Sequence, residues 1–69
     1  TMKLTVNGEE TTLEKPLTVG QLLVKRQVKL PEMVSVELNG SVLSREAYET
    51  TTLNENDQVE FLYFMGGGQ

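Results

Sequence analysis

The apolar positions of this chain recur with two different periods, and each period marks an element. In residues 3–6, Leu4 and Val6 alternate with polar neighbours. In residues 33–38, Val34, Val36 and Leu38 alternate with Ser35 and Glu37. Near the far end Val59, Phe61 and Tyr63 alternate with Glu60, Leu62 and Phe64. A period of two puts every second side chain on one face of an extended backbone, so these stretches predict strands. Residues 10–13 and the short run Val42-Leu43 read as two more, each preceded by an Asn-Gly pair, Asn7-Gly8 and Asn39-Gly40. Asn-Gly is a strong hairpin signal because both residues accept the positive φ of a two-residue turn.

One stretch carries the helical period instead. Val19, Leu22 and Leu23 form an apolar stripe. Thr18 and Gln21 make a Thr-x-x-Gln capping box at its start, and Leu17 and Leu22 stand where a hydrophobic staple places them. The helix is expected to fade over residues 26–28, because Leu30-Pro31 cannot continue it. Lys15-Pro16 ends the second strand, since proline cannot donate to a ladder. Ser44 is expected to cap one helical turn through Arg45, Glu46, Ala47 and Tyr48. Glu55-Asn56-Asp57 reads as a polar turn in which Asn56 takes the left-handed conformation.

The order is therefore hairpin, helix, strand, short strand, final strand. Two apolar stripes bury each other most simply when one helix lies across one face of a sheet. The expected class is α+β: a mixed sheet of four to five strands with one main helix packed on one face, the first and last strands parallel at its centre. This is the β-grasp (ubiquitin-like) arrangement. Residues 1–65 are expected to form that domain and residues 66–69 a flexible glycine tail.

Composition removes most chemistry. A chain of 69 residues makes one small domain. It has no cysteine and no histidine, so disulfides, thiolate metal sites, the usual general base and the commonest metal ligand are all missing. No base stands at a recognisable spacing from Ser35, Ser41 or Ser44. Asn54, Asn56 and Asp57 lack the turn glycine and distal glutamate of a cation-binding loop. A net charge of −4 argues against nucleic acid or an anionic membrane as partner. The few clustered bases, Lys25, Arg26 and Lys29, suit a helix C-terminus. No apolar run approaches the ~18 residues of a membrane span, no signal peptide is visible, and a cytoplasmic location is expected.

What remains is the tail. Gly66-Gly67-Gly68 is not a phosphate cradle, which needs a helix N-terminus after the glycines. Residues without Cβ atoms suit a channel too narrow for other side chains. The group they would deliver is a terminal carboxylate, ionised at neutral pH and hence a poor electrophile until another protein activates it.

The residues that carry these features, taken in order, resemble the ThiS family, ubiquitin-like sulfur carriers of thiamine (thiazole) biosynthesis. The similarity runs through Leu4-Thr5-Val6-Asn7-Gly8-Glu9, Thr18-Val19-x-x-Leu22-Leu23, Val36-Glu37-Leu38-Asn39-Gly40, Arg45, Asp57-x-Val59-Glu60-Phe61 and Phe64-Met65-Gly66-Gly67-Gly68. The resemblance implies a protein co-substrate rather than an enzyme, with no cofactor of its own. An E1-like adenylyltransferase (ThiF-like) would use ATP to adenylate the terminal glycine. Sulfur would then displace AMP to leave a thiocarboxylate, the sulfur donor for a thiazole synthase (ThiG-like). Gly68 would bear the sulfur, Gly66 and Gly67 complete the tail, and Leu62, Phe64 and Met65 meet the partner. Two departures stand out. Asn56 replaces an expected glycine, which a left-handed turn tolerates. Gln69 follows Gly68; if it is native a protease would have to remove it first, and if it is a cloning addition the form is simply blocked. Competing readings are the small subunit of molybdopterin synthase, carriers serving cysteine or thioacid synthesis, and a ubiquitin-like interaction module whose tail does no chemistry.

Overall fold

The computed structural model describes residues 1–29 and 31–63. Strands β1 (Met2–Val6) and β2 (Glu9–Leu13) form the first hairpin, followed by helix α1 (Val19–Lys25). Strands β3 (Val34–Leu38) and β4 (Ser41–Leu43) form the second hairpin, and β5 (Gln58–Tyr63) completes a sheet of order β2-β1-β5-β3-β4. β1 and β5 are parallel, Thr5 opposite Gln58 and Val6 opposite Val59, and every other pairing is antiparallel. The expected mixed sheet, its central parallel pair and the single covering helix are all present, and the fold is a β-grasp. At both Asn-Gly turns the two residues have positive φ: Asn7 53° and Gly8 82°, Asn39 52° and Gly40 89°.

The core lies between α1 and one sheet face. Leu4, Val6, Val34, Val36, Val59 and Phe61 point into it from the strands. Val19, Leu22 and Leu23 meet them from the helix, and Leu13, Tyr48 and Leu53 close its ends. The helix start follows the expected chemistry. The Gln21 N–H donates to the Thr18 hydroxyl (3.1 Å), and the Thr18 N–H donates to Gln21 Oε1 (2.9 Å). The segment after the 3-10 turn Arg45–Ala47 supplies the rest, because Val19 donates to the Thr51 carbonyl and Gly20 to that of Tyr48. The helix's first N–H groups are thus all paired, as a helix end inside a fold requires.

One expectation holds in place but not in cause, and one needs correction. The helix ends where expected, with Arg26 as its cap, but at a specific structure rather than by fading toward the proline. Gln27 is left-handed (φ 56°), its N–H donates to the Val24 carbonyl, and the Val28 N–H reaches back to that of Leu23. These are the two bonds of a Schellman cap, built on glutamine where glycine is usual. Leu30, part of the expected breaker, lies outside the described residues. Met33 belongs to a 3-10 turn, Pro31–Met33, so β3 begins one residue later than its apolar pattern suggests. No helix among the described residues is long and apolar enough to cross a membrane.

Candidate functional site

Of the residues singled out in the sequence, Phe64, Met65, Gly66, Gly67, Gly68 and Gln69 lie outside the described residues, as does the expected boundary between domain and tail. What the structure describes is the strand that leads to them. β5 has a neighbour on each side, and the two flanks differ in length. β3 accompanies it from Leu38 opposite Val59 to Val34 opposite Tyr63, whereas β1 is in register only at Gln58 and Val59.

Where β1 stops, its turn residue takes over. The Asn7 N–H donates to the Val59 carbonyl (2.8 Å), and Asn7 Oδ1 accepts the N–H of Phe61 (2.8 Å). The side chain therefore extends the parallel ladder by one bond past the end of the strand. Asn39 does the same on the other flank: its N–H donates to the Gln58 carbonyl (2.7 Å) and its Oδ1 accepts the Gln58 N–H (2.8 Å). Asn39 Nδ2 also donates to Asp57 Oδ1 (3.0 Å), while Asp57 Oδ2 accepts the Asn54 N–H (2.7 Å). Both carboxylate oxygens of this buried aspartate are thus committed to holding the turn that feeds β5. That assigns the Asn54, Asn56 and Asp57 stretch a structural role. Asn56 is left-handed as expected (φ 71°). Turn composition flagged both asparagines as turn residues. Their second role, as side-chain anchors of a strand distant in sequence, has no local signature.

Leu62 is on the sheet face away from α1, opposite Ser35 of β3, and is 37% exposed. Glu60, two residues earlier on the same face, stands directly opposite Glu37. Tyr63, on the helix side, is half exposed. A cleft of about 290 Å³ opens between α1 and the 3-10 turn Arg45–Ala47, lined by Leu23, Val24, Val28, Glu32, Arg45 and Tyr48 among others. No residue of β5 lines it, although Glu32 lies two residues before Val34, the partner of Tyr63 at the end of β5. Among the described residues no group of three or more acidic side chains gathers as a metal site.

Comparison with known proteins falls on the same residues. The model of the ThiS family matches residues 2–68. A crystal structure of the thiamine biosynthesis protein ThiS from Geobacter metallireducens superposes with a TM-score of 0.86 at 54% identity, covering 97% of this chain and 100% of that one. The sulfur carrier protein ThiS of Bacillus subtilis is 32% identical over 66 residues, 94% of this chain and 98% of that protein. A thiazole synthase of Magnetococcus marinus is 43% identical over 68 residues, which are 99% of this chain but 21% of that protein. Here the chain spans about a fifth of its relative's length.

Proposed function

This chain belongs to the ThiS family, sulfur carriers of thiamine biosynthesis, and from that premise we propose that Gly68 is the residue on which the sulfur travels. The observation that carries the reading is where the family match stops: it runs through β5 and the glycines and ends on Gly68. β5 is anchored by main-chain pairing to β3 and by both turn asparagines. A firm strand leading into glycines suits a carrier that must hold its body still while its terminus enters another protein's site.

In this reading Gln69 is first cut away, which frees the Gly68 carboxylate. An adenylating enzyme of the ThiF type holds ATP, and a carboxylate oxygen attacks the α-phosphorus, with pyrophosphate as leaving group. The acyl adenylate is the electrophile that the free carboxylate is not. Hydrosulfide supplied by a partner then attacks the Gly68 acyl carbon with AMP as leaving group, and loss of the thiol proton leaves the sulfur on the Gly68 carbonyl as a thiocarboxylate. A thiazole synthase takes that sulfur. The relative from Magnetococcus marinus supports this choice of acceptor, since a segment like this chain lies within a polypeptide named for that activity. The carrier contributes no catalytic group.

The test is an intact mass spectrum of the protein purified from cells that supply the pathway enzymes. Loss of Gln69 together with a gain equal to sulfur minus oxygen is the expected result, and Gly68→Ala should lower pyrophosphate exchange by the adenylating enzyme. Retention of oxygen on Gly68 despite active partners would overturn the reading in favour of a binding module.

A further inference from the structure

Both asparagines that anchor β5 precede a glycine, a pairing prone to deamidation in water. In that reaction the glycine backbone nitrogen gives up its proton to base and attacks the asparagine Cγ. The side-chain nitrogen leaves as ammonia, and water opens the resulting succinimide ring at either carbonyl. The products are aspartate, or an aspartate linked onward through its side-chain carbonyl. Glycine favours the attack because it has no Cβ to hinder approach and the widest backbone freedom. Asn7, Gly8, Asn39 and Gly40 are all exposed, and the space where a side chain would stand on either glycine is open. The two asparagines differ in what holds them. Asn7 is held through Oδ1, which accepts the Phe61 N–H (2.8 Å). Asn39 is held at both amide atoms: Oδ1 accepts the Gln58 N–H (2.8 Å), and Nδ2 donates to the buried Asp57 carboxylate (3.0 Å).

We propose that Asn39-Gly40 is a deamidation site at which loss of the amide nitrogen releases the start of β5, whereas the same reaction at Asn7-Gly8 leaves that strand in place. The difference lies in the nitrogen. The aspartate product at position 39 keeps an oxygen for the Gln58 N–H but has no N–H for Asp57. It puts a second carboxylate oxygen where Nδ2 stood, 3.0 Å from an oxygen of Asp57. Like charges that close repel, and the buried carboxylate loses a hydrogen bond that nothing replaces. Asp57 Oδ2 also accepts the Asn54 N–H (2.7 Å), so the disturbance reaches the turn that feeds β5. At position 7 the aspartate product keeps the one oxygen that β5 uses. The fold also sets the order of events. Before the glycine nitrogen can reach Cγ, the side chain must rotate out of its hydrogen bonds. Among the described residues Asn39 has two such side-chain bonds to break and Asn7 has one. The asparagine whose conversion does harm is therefore the slower to convert, and Asp57 guards it.

The experiment ages the full chain at mildly alkaline pH, folded and in urea, and follows the exchange of NH for oxygen at each turn by peptide mapping. In urea both turns should convert at similar rates. In the folded chain position 39 should lag position 7 at least about tenfold, the factor expected from one further hydrogen bond to a charged group. Equal rates in the folded chain would overturn the guarding role. Asn39→Asp makes the product directly. It should lower the melting temperature by roughly 8 °C or more and accelerate amide exchange at Gln58, while Asn7→Asp leaves both near the parent. Combining Asn39→Asp with Asp57→Asn reverses the polarity of the pair. The new amide can donate to the new carboxylate while its oxygen still accepts the Asn54 N–H. That double variant should recover most of the lost melting temperature, and should recover folding if Asn39→Asp alone does not fold. An Asn39→Asp protein that melts with the parent would overturn the release of β5. So would a double variant no more stable than Asn39→Asp.

Discussion

Replacing Asn7 with glycine separates two roles that the sequence superimposes. As a turn residue Asn7 is at φ 53°, a conformation glycine adopts at no steric cost. Turn chemistry by itself therefore predicts a substitution near neutral, since Gly-Gly also suits a two-residue hairpin. The structure predicts otherwise. Asn7 Oδ1 accepts the part-buried N–H of Phe61 at 2.8 Å, at a point where β1 has run out of register with β5. Losing that acceptor removes one hydrogen bond and leaves a backbone donor in a poorly solvated position, at a cost of about 1–3 kcal/mol. Because the site is only part-buried, and because glycine relieves some left-handed strain, we expect about 1–2 kcal/mol. For a domain of this size each kcal/mol moves the melting temperature by roughly 4–8 °C. Asn7→Asp keeps both an acceptor oxygen and tolerance of the left-handed conformation, and should stay within about 0.5 kcal/mol of the parent. Urea unfolding of the three proteins is the assay, with unchanged m-values as the check on a common unfolded state. Amide exchange at Phe61 should accelerate in Asn7→Gly alone. If Asn7→Gly is as stable as the parent, or more so, then the side chain does not anchor β5 and the account of the tail-bearing strand fails.

Three further outcomes follow from the same geometry. Gln27→Gly should stabilise the protein by about 0.5–1 kcal/mol, since the Schellman cap puts a left-handed residue where glycine carries no Cβ penalty; a lower urea midpoint would show that the Gln27 side chain has a role beyond the cap. Asp57→Ala should cost about 2–3 kcal/mol, because it strands the Asn54 N–H and the Asn39 amide that its carboxylate now accepts, and a thermal melt shifted by less than a few degrees would contradict it. Tyr48→Phe should cost about 1 kcal/mol by urea unfolding, because the hydroxyl donates to the Val34 carbonyl (3.4 Å) and accepts the Val36 N–H (3.2 Å) beside the end of β4, while the ring keeps its burial; an unaltered midpoint would show that neither bond matters.

Much of this architecture is written in local chemistry. Period-two alternation in residues 3–6 and 34–38, and again before the glycines, places strands wherever one face is buried, because a pleated backbone has no other way to sort apolar from polar side chains. The capping box at Thr18 and the two Asn-Gly turns are equally local, each a matter of one side chain and the nearest backbone groups. The candidate tail is expected for the opposite reason, that glycine loses the most backbone freedom on ordering, and it lies outside the described residues. What local chemistry did not contain is everything that joins residues distant along the chain. Nothing near Asn7 announces Phe61, nothing near Asn39 announces Asp57, and Glu37 and Glu60 become neighbours only when β3 and β5 pair. The left-handed cap that ends α1 had no local signal for the same reason. A glutamine carries no preference for the left-handed conformation, and tertiary packing imposes it, with Leu23 and Val28 held against a shared core. Propensity and periodicity act over a few residues and therefore specify elements. Register, anchoring and charge pairing arise only when the sheet closes on its central strand, so they are decided by the tertiary structure alone.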